Sequence, residues 1–126
     1  MSVVGIGTDL VSIERLTGAL DRHGSALYER LFTERERAEA PPGREPEHFA
    51  GRFAAKEAVL KAIGTGWSGG VTWHDVETLR VPGGAPELRL TGVAAEIAAR
   101  QGARRWHLSL THDAGFALAF AVAAQA

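Results

Sequence analysis

Cysteine is absent from the 126 residues, which removes disulfides, thiolate metal sites and a cysteine nucleophile at once. That absence is in keeping with a reducing compartment, and a cytoplasmic location is expected. An excess of one charge is missing too. Lys and Arg number 14 against 15 Asp and Glu, a formal net of −1. A nucleic-acid binder carries a basic excess, so no nucleic-acid partner is expected. No run approaches the roughly 18 apolar residues of a membrane span. The opening MSVVGIGTDL lacks the basic start and long apolar stretch of a secretory signal. No membrane association is expected. No repeat and no low-complexity tract is visible.

What remains is ordinary globular material, 45% hydrophobic and 23% charged. The length suits one domain, read as 1–126, and lets a core form without staples. Val3 to Asp9 reads as a short buried strand. Ile13, Leu16 and Leu20 recur at helical spacing, so a helix is expected over 12–22 with Ser12 as its N-cap. Thr33 and Glu36 form a capping-box pattern opening a short helix, which Ala40-Pro41-Pro42-Gly43 ends. A long helix is expected over 47–63, stopped by Gly64-Thr65-Gly66. Strands are expected over 75–81 and 87–90 about the turn Pro82 to Pro86, then a helix over 92–101 capped by Thr91. Two strands, 106–111 and 116–122, close the chain around Asp113-Ala114-Gly115. Strand pairs with separate helices indicate an α+β fold.

The 47–63 segment is the most informative. At about 100° per residue, Phe49, Phe53, Val59, Leu60 and Ile63 form one apolar stripe. Ala50, Gly51, Ala54, Ala55, Ala58 and Ala62 form an opposite face of small residues. A helix apolar on both sides belongs inside the protein. Yet Arg52, Lys56, Glu57 and Lys61 lie in or beside the large stripe, and buried charge is costly unless it is compensated. Two structural explanations stand beside a functional one: a Glu57–Lys61 pair at i,i+4, and snorkelling of long side chains. The functional explanation is that three cations against one acid leave positive charge for an anionic ligand. The glycines of Gly64-Thr65-Gly66 would admit such a ligand close to the backbone.

Three blocks carry a resemblance: Gly5-Ile6-Gly7-Thr8-Asp9-Leu10-Val11; Phe49-Ala50-Gly51-Arg52-Phe53-Ala54-Ala55-Lys56-Glu57-Ala58 with Lys61-Ala62 and Gly64-Thr65-Gly66; and Ser109-Leu110-Thr111-His112-Asp113. In these blocks the chain resembles the holo-[acyl-carrier-protein] synthases, the small single-repeat 4′-phosphopantetheinyl transferases. The similarity extends in order from about residue 3 to residue 122, and the middle block is the specific one. The resemblance implies an α+β fold, an antiparallel sheet with a long central helix, assembled as a homotrimer with active sites between subunits. It implies transfer of 4′-phosphopantetheine from coenzyme A to a serine of apo acyl carrier protein, releasing 3′,5′-ADP, with Mg²⁺ as cofactor. Asp9 and Glu57 match the metal ligands. Arg52, Lys56, Lys61, Gly64, Thr65 and Gly66 match the coenzyme A site, with Pro86 of Gly84-Ala85-Pro86 beside the nucleotide. Ser109, Thr111 and His112 match the strand end that a neighbouring subunit supplies.

The chemistry this requires agrees with these residue types. Mg²⁺ takes oxygen ligands, typically one or two carboxylates completed by phosphate and water. Phosphoryl transfer needs positioning and charge neutralisation more than covalent help. Lys61 is expected to stabilise the leaving 3′,5′-ADP. Glu57, a water on the metal, or His112 with Asp113 is expected to take the serine proton. Plainer roles compete: Asp9 as a turn acid, His112 as a turn histidine without a task. Arg15 and Arg22 on helix 12–22 resemble a docking surface for an acidic carrier, or are an ordinary solvated face. In the surrounding stretch Asp21, His23, Gly24, Ser25 and Ala26 depart from the family's denser basic run, which bears on carrier range. Rival readings are service to polyketide or peptide-synthase carriers, a non-catalytic coenzyme A or nucleotide-binding module, and a structural trimer with internal ion pairs.

Overall fold

A computed structural model describes residues 2–126. Three long segments alternate in burial and pair as antiparallel strands: β1 (Val3–Ser12), β4 (Arg105–Asp113) and β5 (Phe116–Ala124), in the order β1-β5-β4. The β4–β5 connection is a two-residue loop, Ala114-Gly115, with φ of 52° and 83°. Positive φ there matches the twist of the two strands and makes a tight hairpin. β1 is longer than the sequence pattern implied. It continues to Ser12, so Asp9 sits in mid-strand opposite Ala119 instead of at a strand end.

One face of this sheet is lined by small residues, and the long helix α4 (Glu45–Ile63) lies across it. Ala117, Ala119, Ala121 and Ala123 on β5 and Ala54, Ala55, Ala58 and Ala62 on α4 are all buried. The approach is close enough to forbid side chains on β1. A Cβ on Gly7 would overlap the Ala58 carbonyl oxygen and stand 2.8 Å from its carbonyl carbon; one on Gly5 would stand 2.9 Å from the Ala62 carbonyl carbon. The two glycines are therefore there for helix–strand contact. The small face of the helix meets the sheet as its burial on both sides requires. Gly64, at φ 77°, ends the helix with a left-handed cap.

The remaining elements wrap the other side of α4. Ser12 caps α1 (Ile13–His23), its hydroxyl accepting from Arg15 N at 3.2 Å. Gly24 breaks the chain and a further helix follows, α2 (Ser25–Leu31). The sequence analysis did not anticipate it, although Leu27, Tyr28 and Leu31 keep helical spacing. The Thr33–Glu36 box opens α3 (Glu34–Ala38) as expected. Leu20, Leu31, Phe32 and Phe49 form a small core between these helices. The expected 75–81 strand is shorter: a 3-10 turn over Trp73–Asp75 precedes β2 (Val76–Leu79), which pairs only with β3 (Glu87–Leu90). α5 (Gly92–Arg100) gets no side-chain bond from Thr91. Asp75 does that work from a distance, its carboxylate accepting from Ala94 N at 3.2 Å.

Among the described residues no helix covers the second face of the three-stranded sheet. Ile6 and Leu10 are 57% and 62% exposed, and Phe116, Leu118 and Phe120 of the central strand are exposed beside them. An antiparallel sheet often keeps one solvated face, but that face is normally polar. No helix among the described residues is long and apolar enough to cross a membrane.

Candidate active site

The charges on α4 meet different surroundings in the fold. Lys56 and Glu36 are both 0% exposed, and their ion pair is 2.8 Å. Lys56 Nζ also donates to the Trp73 carbonyl at 3.0 Å and to the Val76 carbonyl. Glu36 in turn accepts from Thr33 N and Thr78 N, each at 2.9 Å. Burial pushes the Lys56 ammonium pKa down, opposed by Glu36. This is a closed network joining α3, α4 and β2. Lys56, which the resemblance matches to the coenzyme A site, has all three of its ammonium donors engaged inside this chain.

Glu57 and Lys61 are not paired with each other, so the i,i+4 explanation fails. One turn apart on α4, they reach toward different partners, Lys61 to β1 and Glu57 to the loop after α4. Lys61 Nζ donates to Asp9 Oδ1 and to the Thr8 carbonyl, both at 3.0 Å, with a half-exposed side chain. Glu57 Oε1 accepts from the indole N–H of Trp67 at 3.1 Å. Asp9 and Glu57 line one cleft of ≈ 1030 Å³, whose other walls include Ser12, Arg15, Leu16, Arg22 and Phe53. The fold thus gathers both presumed metal carboxylates and both presumed docking arginines around one opening. Glu14 lines it too, and Asp21 is on the same helix, so the helix surface is mixed in charge.

Arg52 points elsewhere. It lines a second cleft of ≈ 450 Å³ with Arg44, Arg80, His48, Thr111, His112, Glu39 and Glu47. Arg52 is 9% exposed and its buried Nε has no partner. Desolvation lowers its pKa, countered by Glu39 and Glu36. An unpaired donor on a buried guanidinium is a costly arrangement unless an anion completes it. Burial also lowers the His48 pKa, although its Nε2 hydrogen-bonds the Glu36 carbonyl at 2.7 Å. Arg44 and Arg80 were not singled out as site residues. Arg44 belonged to a visibly basic segment, whereas Arg80 reaches this cleft only through the tertiary fold.

The remaining predicted residues are scattered over the surface. Gly64, Thr65 and Gly66 turn the chain after α4, with Thr65 Oγ donating to the Gly66 carbonyl. Pro86 lies in the β2–β3 loop, and Ser109 is on the uncovered sheet face. His112 and Asp113 are exposed at the β4 end and both line a further cleft beside Ser12 and Glu47. His112 therefore faces Arg52 and Arg44, not Asp9 and Glu57. Among the described residues no group of three or more His, Asp or Glu forms a metal cluster. Two carboxylates with further oxygens from a phosphate and water remain a fitting donor set for Mg²⁺.

Known proteins resemble this chain over nearly its whole length. The family model described as the 4′-phosphopantetheinyl transferase superfamily matches residues 5–121. A holo-[acyl-carrier-protein] synthase of Desulforudis audaxviator is 52% identical, covering 96% of this chain and 92% of its own. One from Salinispora arenicola is 49% identical, covering 96% and 98%. The crystal structure of the Neisseria meningitidis synthase superimposes with a TM-score of 0.86 at 37% identity, covering 98% and 99%. That of the Bacillus anthracis synthase in complex with CoA (3′,5′-ADP) gives 0.77 at 36% identity, covering 96% of each chain.

Proposed function

Because the chain belongs to the 4′-phosphopantetheinyl transferase superfamily and is a holo-[acyl-carrier-protein] synthase type of enzyme, we propose how its residues divide the work. The reaction moves 4′-phosphopantetheine from coenzyme A to an apo acyl carrier protein. The observation that carries the reading is the shared cleft of Asp9 and Glu57, with Lys61 bonded to Asp9.

Asp9 and Glu57 would hold Mg²⁺, which when bound would offset the negative charge of the donor's pyrophosphate. Lys61 has three donors, two of them spent on Thr8 and Asp9. The remaining donor faces outward and stabilises the phosphate of departing 3′,5′-ADP. The carrier serine attacks phosphorus, its O–P bond forming as the bond to 3′,5′-ADP breaks, and its proton passes to a group of the site. Glu57, directly or through a water, and His112 with Asp113 are the candidates to take it. Arg15 and Arg22 line the Asp9–Glu57 cleft, which supports carrier docking on α1 next to the reacting atoms. Fatty-acid synthesis is the setting this implies.

The cationic cleft supports a site for coenzyme A phosphates. Arg52 Nε is buried without a partner there, and a phosphate would supply one. Gly64, Thr65, Gly66, Pro86, Ser109 and Thr111 complete the nucleotide surface in this reading. They are not gathered around one cleft in a single chain, and Arg52 and His112 line a different cleft from Asp9 and Glu57. A site completed between copies resolves both facts. The uncovered face of Ile6, Leu10, Phe116, Leu118 and Phe120 supports self-association, because such a patch marks an association surface, and the family resemblance makes the assembly a homotrimer.

The test is mass spectrometry of a purified apo carrier incubated with the protein and coenzyme A. Adduct formation with Mg²⁺, its loss in EDTA, and its loss in Glu57→Gln are expected. Adduct formation undiminished in EDTA would sink the metal assignment. Apo carriers of fatty-acid, polyketide and peptide synthases run in parallel define the range.

A further inference from the structure

Trp67 stands in the glycine-rich turn after α4, and nothing in its sequence setting marks it for a task. The fold brings it back over the helix end. Ser68 Oγ donates to the Thr65 carbonyl at 2.7 Å, and Thr65 N bonds the Leu60 carbonyl at 3.2 Å. These bonds close the turn so that the indole lies against the core. Its ring packs against Trp73 at a tilt of 36°, and Trp73 stacks on Phe53 at 5.1 Å. Phe53 is itself a wall of the Asp9–Glu57 cleft. The indole N–H ends on Glu57 Oε1 at 3.1 Å, while Oε2 has no protein partner among the described residues.

We propose that Trp67 is a positioning residue for Glu57. It engages one carboxylate oxygen and turns the other into the cleft as the metal-binding atom. This rests on the assignment of Glu57 to Mg²⁺. A ligand carboxylate on a flexible side chain loses rotamer freedom on binding, and an outer hydrogen bond that fixes it beforehand strengthens the site. The packed rings hold the N–H in place, so the turn that carries Trp67 and the Glu57 carboxylate move as one. Packing alone would give a different result: any large apolar side chain could then serve, since the ring's contribution would be area and not its N–H.

The experiment is Mg²⁺ titration of the full chain by isothermal calorimetry, on wild type, Trp67→Phe and Trp67→Leu, with Trp emission followed in parallel. Phe keeps an aromatic ring for Trp73 and lacks the N–H. Both variants are expected to bind Mg²⁺ about tenfold more weakly, within the usual effect of losing an outer hydrogen bond to a ligand. The Mg²⁺-dependent emission change of wild type should be absent in both, with Trp73 and Trp106 still reporting an intact fold. In turnover the Mg²⁺ requirement should shift by the same factor, and saturating Mg²⁺ should restore most of kcat. Phe restoring wild-type Mg²⁺ affinity where Leu does not would reduce Trp67 to packing and overturn the proposal. Wild-type protein that neither takes up Mg²⁺ nor needs it for turnover would overturn the metal assignment of Glu57 as well, a distinct failure.

Discussion

Lys56 offers the sharpest separation between motif and fold. Within the Ala55-Lys56-Glu57-Ala58 block it has the setting of a ligand cation, yet its ammonium is enclosed by Glu36 and two backbone carbonyls. Lys56→Met keeps most of the side-chain length and removes the charge. Glu36 is then left as a buried carboxylate with the N–H groups of Thr33 and Thr78 for company. Breaking a buried pair from one side costs about 3–5 kcal/mol. A chain of 126 residues is stable by about 6–19 kcal/mol at ordinary values per residue. The loss is therefore a large share of the whole, and Tm should fall by about 10–20 °C at this chain length. Calorimetric or urea unfolding measures it. The double variant Glu36→Gln/Lys56→Met should cost less than the two single variants added together, because each single variant strands a buried charge and the double variant strands none. At a temperature where the variant is folded, its KM for coenzyme A should match wild type. An unchanged Tm with a raised KM for coenzyme A would refute this reasoning and return Lys56 to the ligand site.

Gly7→Ala should destabilise by about 3 kcal/mol or more in urea unfolding, since the new methyl meets the backbone of Ala58 and not a movable side chain. Turnover of the folded fraction should fall too, because β1 carries Asp9; a variant as stable and active as wild type contradicts the close approach. Phe120→Asp puts a charge in the uncovered sheet face, and should give monomers in sedimentation with helical circular dichroism retained and turnover lost. Persistence of the oligomer would remove that face from the interface. His48 supplies a pH dependence. Its pKa is lowered by burial from 6.5, so on acidification the unfolded chain takes up the proton first and the equilibrium moves toward it. Stability should therefore fall as pH drops below about 6.5 toward the folded-state value, and His48→Gln should flatten that part of the urea-midpoint profile.

Much of the frame was legible from residue types alone. The Thr33–Glu36 box, the Ser12 cap, the left-handed Gly64 stop and the small-residue face of α4 are local signals, and each forms as its chemistry dictates. Asp9 and Glu57 were legible as a pair of hard oxygen donors in blocks of known resemblance. Their common cleft was not. α2 was missed because its apolar spacing is short and follows a glycine, and Asp75 was missed as the α5 cap because the two are not adjacent in sequence.

A helical wheel assigns Arg52, Lys56, Glu57 and Lys61 to one neighbourhood, because it knows angles along one axis and nothing of what packs against them. The fold gives each a different neighbour: an open cationic cleft, a buried carboxylate, an indole and the Asp9 carboxylate. Sequence by itself determined several helix caps and stops and which charges had to be compensated, since caps, glycines and burial costs act over a few residues. Only the tertiary structure decided what compensates each charge, because those partners lie up to 53 positions away and are brought near by strand pairing and helix packing.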